Sequence, residues 1–263
     1  MKKGIKITIA AVLLAINLSA FAQANDTLPG KKKRDHAKSY IEISAGISAP
    51  FGHFANNNYF DLRSGFASPG PVFAISGVKY IGHSNFGLGG TLSYAYYTLK
   101  NKNLALGYQN SYGVDSVFEH NTNYKSVQAL LGPYYAIPLG IVTIDFHALV
   151  GFNAMWTPEI DILAYDGGVA NFQGGSQYTF WQKSSSDVAF ATQYGVGLRI
   201  SPIKHFAIAL RVDYFRSMPV FDISWAYGSQ LPGAYPGIRY LTSYTEPFNG
   251  INASLGLDYV FGK

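Results

Sequence analysis

The chain has 263 residues and no cysteine, with 13% charged and 16% aromatic residues. A typical soluble domain carries about 25% charge. This composition excludes disulfides, thiolate metal sites, cysteine nucleophiles and an N-terminal lipidated cysteine, and it suits a β protein with much surface facing something other than water. The formal net charge is +5, but Lys2, Lys3 and Lys6 sit at the extreme N-terminus, and without them the excess falls to about +2.

Those lysines precede an apolar run, Ile7 to Leu18, and an A-x-A site, Ala20-Phe21-Ala22. Residues 1–22 therefore read as a signal peptide cleaved after Ala22. The apolar run is shorter than the ~18 residues of a spanning helix. The Phe-Ala-Gln junction resembles exported proteins of the Bacteroidota. Residues 23–38 follow, with Lys31-Lys32-Lys33-Arg34 and no apolar periodicity. They read as a flexible basic periplasmic leader, not as a nucleic-acid-binding arm.

From residue 39 the dominant signal is alternation with period two. The first strand, Tyr40 to Ala49, sets Ile41, Ile43, Ala45, Ile47 and Ala49 against Tyr40, Glu42, Ser44, Gly46 and Ser48. A polar loop rich in Asn, Gly and Pro follows. The second strand, Val72 to Ile81, has the least clean pattern, and its faces stay open. Lys79 is assigned to the interior on its charge. After a short turn the third strand runs from Phe86 to about Lys100, and a polar loop spans about Asn101 to Asn123. The fourth, Tyr124 to Ile137, carries Gln128 on its polar face, and Pro133 predicts a bulge or local irregularity. After the turn Pro138-Leu139-Gly140, the fifth strand is the clearest internal one. Val142, Ile144, Phe146, Val150, Phe152 and Trp156 oppose Thr143, Asp145, His147 and Asn153.

A third loop runs from about Thr157 to Asp187. The sixth strand, Val188 to Ile200, carries Gln193 and Arg199 inward. A short turn leads to the seventh, which begins near His205 and carries Arg211 and Asp213. A fourth loop covers about Ser224 to Glu246. The closing strand, Ile251 to Phe261, sets Leu255, Leu257, Tyr259 and Phe261 against Asn252, Ser254 and Asp258.

Eight strands thus alternate between short and long connections, with short turns after strands two, four and six. Short periplasmic turns, long extracellular loops and an even strand number are the rule of outer-membrane barrels. Closure also leaves no unpaired edge in lipid. The expected fold is an all-β, eight-stranded antiparallel up-and-down transmembrane barrel over residues 39–263, with both termini in the periplasm. Residues 39–263 resemble the small outer-membrane β-barrel proteins, in the eight-stranded group typified by the transmembrane domain of outer membrane protein A, and the outer membrane protein beta-barrel domain family of Bacteroidota. The resemblance implies a Gram-negative outer-membrane location, lipid and lipopolysaccharide as surroundings, and the barrel-assembly machinery as a partner that reads the aromatic end of the closing strand. Here Phe261 is followed by Gly262-Lys263, a departure from a terminal aromatic.

The expected interior polar network is Glu42, Lys79, Gln128, Asp145, His147, Gln193, Arg199, Arg211, Asp213 and Asp258. An eight-stranded barrel is just wide enough to be filled by side chains, and charges inside it must be paired. The expectation is a structural plug, with a polar pathway for small ions as the alternative. Asp145 and His147 share a strand face, as a general-base pair does, but Asp145 faces inward near the periplasmic end with no Ser placed beside it. No catalytic, cofactor or metal site is expected, and six scattered His make no metal spacing. Outward aromatics such as Tyr94, Tyr135, Trp156, Tyr194 and Tyr259 fit interface girdles. The loops carry Trp181, Trp225, Tyr227, Tyr235, Tyr240 and Tyr244. The functional expectation is a monomeric, non-enzymatic barrel with a structural role or a surface ligand for its loops. A porin-like narrow pore, a lipid A-modifying or proteolytic barrel and a soluble secreted β protein are the other readings.

Overall fold

A computed structural model describes residues 36–61, 63–82, 84–114, 116–165, 177–229 and 240–261. The expected signal peptide, most of the leader, Tyr235 and the Gly262-Lys263 tail lie outside the described residues. Eight strands form a closed antiparallel barrel: β1 (Ser39–Pro50), β2 (Gly70–Tyr80), β3 (Phe86–Tyr97), β5 (Tyr124–Leu139), β6 (Val142–Trp156), β9 (Ser186–Ile203), β10 (Phe206–Ser217) and β13 (Phe248–Phe261). Each pairs with its chain neighbour in the barrel, and β1 closes on β13 from Ser39↔Phe261 to Pro50↔Gly250. The period-two pattern places every second side chain inside. Ile43, Phe73, Leu92, Leu131, Phe152, Phe190, Leu210 and Leu255 point outward and are exposed. Such a continuous apolar exterior is far beyond what a soluble monomer presents.

Two expectations about local geometry resolve. The β5–β6 pairing skips residues 132 and 133 without changing register, since Leu131↔Val150 and Tyr134↔His147 are in phase. Pro133 therefore interrupts the ladder and makes no bulge. In β2, Ser76, Val78 and Tyr80 are buried, and the Tyr80 hydroxyl donates to Asp145 at 2.7 Å inside the barrel. That fixes the parity of the strand. Lys79 consequently points outward and is exposed, which corrects its assignment to the interior network. One residue from the strand end, its long stem can lie along the wall with the ammonium at the margin.

The larger departure lies in the long connections, expected as polar loops. They contain helix α1 (Asn101–Tyr112) and strands β4 (Ser116–Glu119), β7 (Ile160–Tyr165), β8 (Gln177–Gln182), β11 (Val220–Ser229) and β12 (Tyr240–Thr245). These five strands form one sheet in the order β12-β11-β8-β7-β4. That order repeats the barrel order β13-β10-β9-β6-β5. Each strand of the second sheet prolongs one barrel strand past a break of two to four residues, and three of the breaks contain Pro158, Pro219 or Pro247. Proline removes a ladder donor, so it interrupts a strand without forcing a turn.

Register largely survives the breaks. Ser217↔Phe248 below is in phase with Val220↔Thr245 above. Trp156↔Ser186 is in phase with Ile160↔Gln182. The ladder between β9–β10 and β8–β11 alone slips, by one residue, from Ser217↔Ala191 to Trp225↔Gln182. Hydrogen bonds stitch the breaks together. Thr157 N–H donates to the Ser185 carbonyl at 2.9 Å, and Thr122 N–H to the Glu159 carbonyl at 2.9 Å. Five of eight barrel strands thus rise as a screen. Above β1, β2 and β3 the chain instead forms the first loop, residues 51–69, and α1.

Helix α1 ends at Gly113, whose left-handed φ of 64° lets its N–H cap the Gln109 carbonyl. Leu104 and Tyr108, one turn apart, face the screen and are buried. Gly107 leaves room for the Tyr59 ring, which lies 2.6 Å from where a Cβ would stand.

Candidate functional site: the lumen and the screen above it

The lumen is layered. At the short-turn end, Arg199 on β9 reaches two carboxylates. Its Nη2 donates to Asp145 Oδ2 at 2.7 Å, and its Nε donates to Asp258 Oδ2. Its guanidinium carbon lies 3.4 Å from the centre of the Tyr40 ring. Tyr40 in turn accepts a hydrogen bond from Arg211 Nη2 at 2.6 Å. Arg211 Nε lies 2.8 Å from Glu42 Oε2. Glu42 and Asp258 stand opposite each other in the β1–β13 ladder. Like charges in that position repel, and the two arginines hold them there. One step higher, His147 Nε2 meets Asp213 Oδ1 at 2.8 Å while Tyr134 stacks on the imidazole at 4.9 Å. The Arg211–Glu42 ion pair and the close His147–Asp213 contact are not aligned as hydrogen bonds.

The backbone makes room for this cluster. Gly195 lies between His147 and Asp213 on the neighbouring strands, and a Cβ there would stand 1.9 Å from Asp213 Oδ1. Gly256 likewise faces Glu42, whose Cδ would lie 2.8 Å from a Cβ. Inward glycines are therefore spaces for long charged neighbours, a role invisible to strand propensity.

Above the ions lies a layer of small polar groups, including Ser44, Ser76, Thr91, Ser93, Gln193, Asn252 and Ser254. They line a cavity of about 20 Å³, the volume of one water. Gln128, also buried, belongs to this layer. Above that, the first loop folds inward, and Phe54 packs edge-on against Tyr97, Tyr124 and Phe248 at 4.7 to 5.2 Å. Phe215 joins at 4.9 Å from Phe248, and Ser48 and Tyr97 share a hydrogen bond of 2.6 Å beneath them. Phe66, Leu99, Leu104, Met155, Ile162, Phe221 and Ile223 complete this apolar core. An ionic layer and an aromatic layer thus fill the same lumen in series.

The structure places Glu42, Gln128, Asp145, His147, Gln193, Arg199, Arg211, Asp213 and Asp258 inside the barrel. It does not pair Asp145 with His147. Asp145 is held by Arg199 and Tyr80, and His147 by Asp213. Each half of the formal general-base pair is committed elsewhere. Among the described residues no cluster of three or more His, Asp or Glu could hold a metal ion. Leu255, Leu257, Tyr259 and Phe261 face outward on β13. At the short-turn mouth, His36, Lys38, Arg199 and Lys204 line a cleft of about 220 Å³. There Ala37 N–H donates to Asn85 Oδ1 at 3.4 Å.

The loop aromatics Trp181, Trp225, Tyr240 and Tyr244 all lie on the screen. Trp225 stacks on Tyr240 at 4.5 Å and on Phe180 at 6.1 Å, and Trp181 Nε1 donates to Glu159 at 3.2 Å. The Tyr227 side chain and Tyr235 lie outside what is described. Sequence reasoning missed the buried Glu246, in the break between β12 and β13. It is 1% exposed, and among the described residues its Oε1 has no hydrogen-bond partner. Burial and the Asp61 carboxylate push its carboxyl up to about 8.

No protein-family model and no curated protein matches the chain. Solved structures do. A major outer membrane protein from Thermus thermophilus is 12% identical with a TM-score of 0.44, over 85% of this chain and 99% of that one. Ail, the attachment invasion locus protein of Yersinia pestis, is 14% identical with a TM-score of 0.42, over 86% and 100%. The outer membrane protein OprG from Pseudomonas aeruginosa is 12% identical with a TM-score of 0.41, over 87% and 98%. Each is a likeness of architecture alone.

Proposed function

We propose that the protein is a non-conducting, non-enzymatic barrel of a Gram-negative outer membrane that holds an ordered surface screen above the bilayer for interaction with a partner. The observation that carries this is the doubly filled lumen beneath a folded screen. A barrel built to conduct keeps its polar interior hydrated; here an arginine–carboxylate layer and an aromatic layer close it in series. The apolar exterior supports a lipid surround, with the short turns in the periplasm and the screen outside. Residues 1–22 are the export signal in this reading, 23–38 the periplasmic leader, and the barrel is a monomer surrounded by lipopolysaccharide. The assembly machinery reads the outward Leu255-Leu257-Tyr259-Phe261 face during insertion.

Planar-bilayer recording of the purified full chain tests the proposal. The expected record is a flat baseline without steady openings. Reproducible openings that disappear when Arg199 or Asp213 is changed would overturn it in favour of a pore. Lipid A mass spectra and peptide substrates left unaltered by the chain are expected as well.

A further inference from the structure

Among the described residues the barrel has no edge, but the screen has two. One is β4, four residues long and ending on Glu119, with α1 packed beside it. The other is β12. Its edge exists because a neighbour stops. β1 accompanies β13 as far as Pro50↔Gly250, Phe51 N–H adds a last bond to the Asn249 carbonyl at 3.1 Å, and the first loop then folds inward. Among the described residues, strand β12 continues upward alone on that side.

The phase of the ladder identifies the groups left over. Glu246 N–H donates to the Pro219 carbonyl at 3.0 Å. Bonded pairs recur every second residue in an antiparallel ladder, so Tyr244, Thr242 and Tyr240 direct their backbone groups at β11. Leu241, Ser243 and Thr245 direct theirs away from it, on the side where Asn249 meets β1. Among the described residues β12 pairs with β11 alone.

Proteins guard exposed edges with lysine, proline, bulges or brevity. Tyr240-Leu241-Thr242-Ser243-Tyr244-Thr245 has six residues and no charge, proline or glycine. It is rich in residues that favour strands, and Leu241 is 83% exposed. We propose that the free edge of β12 docks an extended, uncharged segment of a partner polypeptide, which joins the screen as a sixth strand by β-augmentation. Alternating donors and acceptors at strand spacing are matched by another extended backbone and not by a sugar or a lipid headgroup. Asp222, across the ladder from Ser243, selects against acidic residues on the outer face of that segment. A second copy standing the same way up in the same membrane is a poor occupant. A two-fold axis along the bilayer normal would set N–H against N–H at equal height.

This inference rests on the reading of the long-loop end as partner-facing. It is tested with the full chain in lipid nanodiscs, panned against displayed random heptapeptides. Enriched, uncharged peptides made synthetically should bind the native chain. They should bind at least tenfold more weakly to Ser243→Pro, which removes one outward N–H without touching the β11 ladder, and to Leu241→Lys. N-methylation of alternate peptide amides should abolish binding. No enrichment over empty nanodiscs, or equal binding to both variants, would overturn the proposal. A concentration-dependent dimer lost in Ser243→Pro would assign the edge to a second copy and overturn it too. Capture of intact cells by chain-bearing vesicles that survives both variants would remove the strand edge while leaving the surface-binding reading in place.

Discussion

Replacing Arg199 with methionine tests the ionic layer most directly. Arg199 is 3% exposed and is the shared partner of Asp145 and Asp258, which are 2% and 1% exposed. Its removal strands two buried carboxylates. Breaking a buried ion pair costs about 3–5 kcal/mol, and the lost stacking on Tyr40 adds roughly 1 kcal/mol. Tyr80 still donates to Asp145 at 2.7 Å, so that carboxylate keeps one partner and the expected loss is about 4 kcal/mol. The double variant Arg199→Met with Asp258→Asn removes the more isolated charge and should recover about 1–2 kcal/mol. Arg199→Lys should fall between, since one ammonium cannot fork to both acids. Urea unfolding from phosphatidylcholine vesicles, followed by tryptophan fluorescence, measures all three. A loss below about 1 kcal/mol for Arg199→Met, or a double variant no more stable than the single, would refute the view that Arg199 carries the plug.

Three further outcomes are expected. Gly195→Ala places a methyl 1.9 Å from Asp213 Oδ1 and 2.5 Å from His147 Nε2; the pair must separate, and a stability loss of about 1–3 kcal/mol in the same unfolding assay is expected. Leu255→Lys, at an outward position 60% exposed, should cost about 2–4 kcal/mol if that position lies near mid-bilayer; no loss would contradict a lipid surround. Glu246 favours its protonated form in the folded chain, with its carboxyl raised from 4.5 to about 8. Its contribution to stability is therefore complete below about pH 4.5 and lost as pH rises through about 8. Proteolysis of the screen should accelerate between pH 5 and 8.5 in the native chain and lose that dependence in Glu246→Gln. An unchanged pH profile in the variant would rule Glu246 out as the cause.

How much the sequence decided follows from where its periodicity is strict. Each barrel strand separates two environments, so β6 alternates from Val142 to Trp156, and Asp145, His147 and Asn153 could be placed inside from the chain alone. The short turns and the closing pairing of β1 with β13 followed from the same alternation and from the need to leave no edge. In β2 the alternation is blurred, because Val72, Val78 and Tyr80 point inward with an apolar character that matches the outward residues. Charge was then a poor guide to Lys79, and the Tyr80 bond to Asp145 fixed the phase.

The screen was illegible for a different reason. Its strands are short, their inner faces pack on a loop and a helix, and Asn-rich stretches such as Asn101 to Tyr112 carry little helical signal until Leu104 and Tyr108 find the core. The partners of the buried charges were also beyond the sequence. That Arg199 takes Asp145 and Asp258, that Arg211 takes Glu42, and that His147 takes Asp213 depends on the stagger between strands far apart in the chain, and on glycines at 195 and 256 that leave the space. Alternation along one strand assigns a side chain to the inside; only closure of the barrel decides which other side chain it meets there.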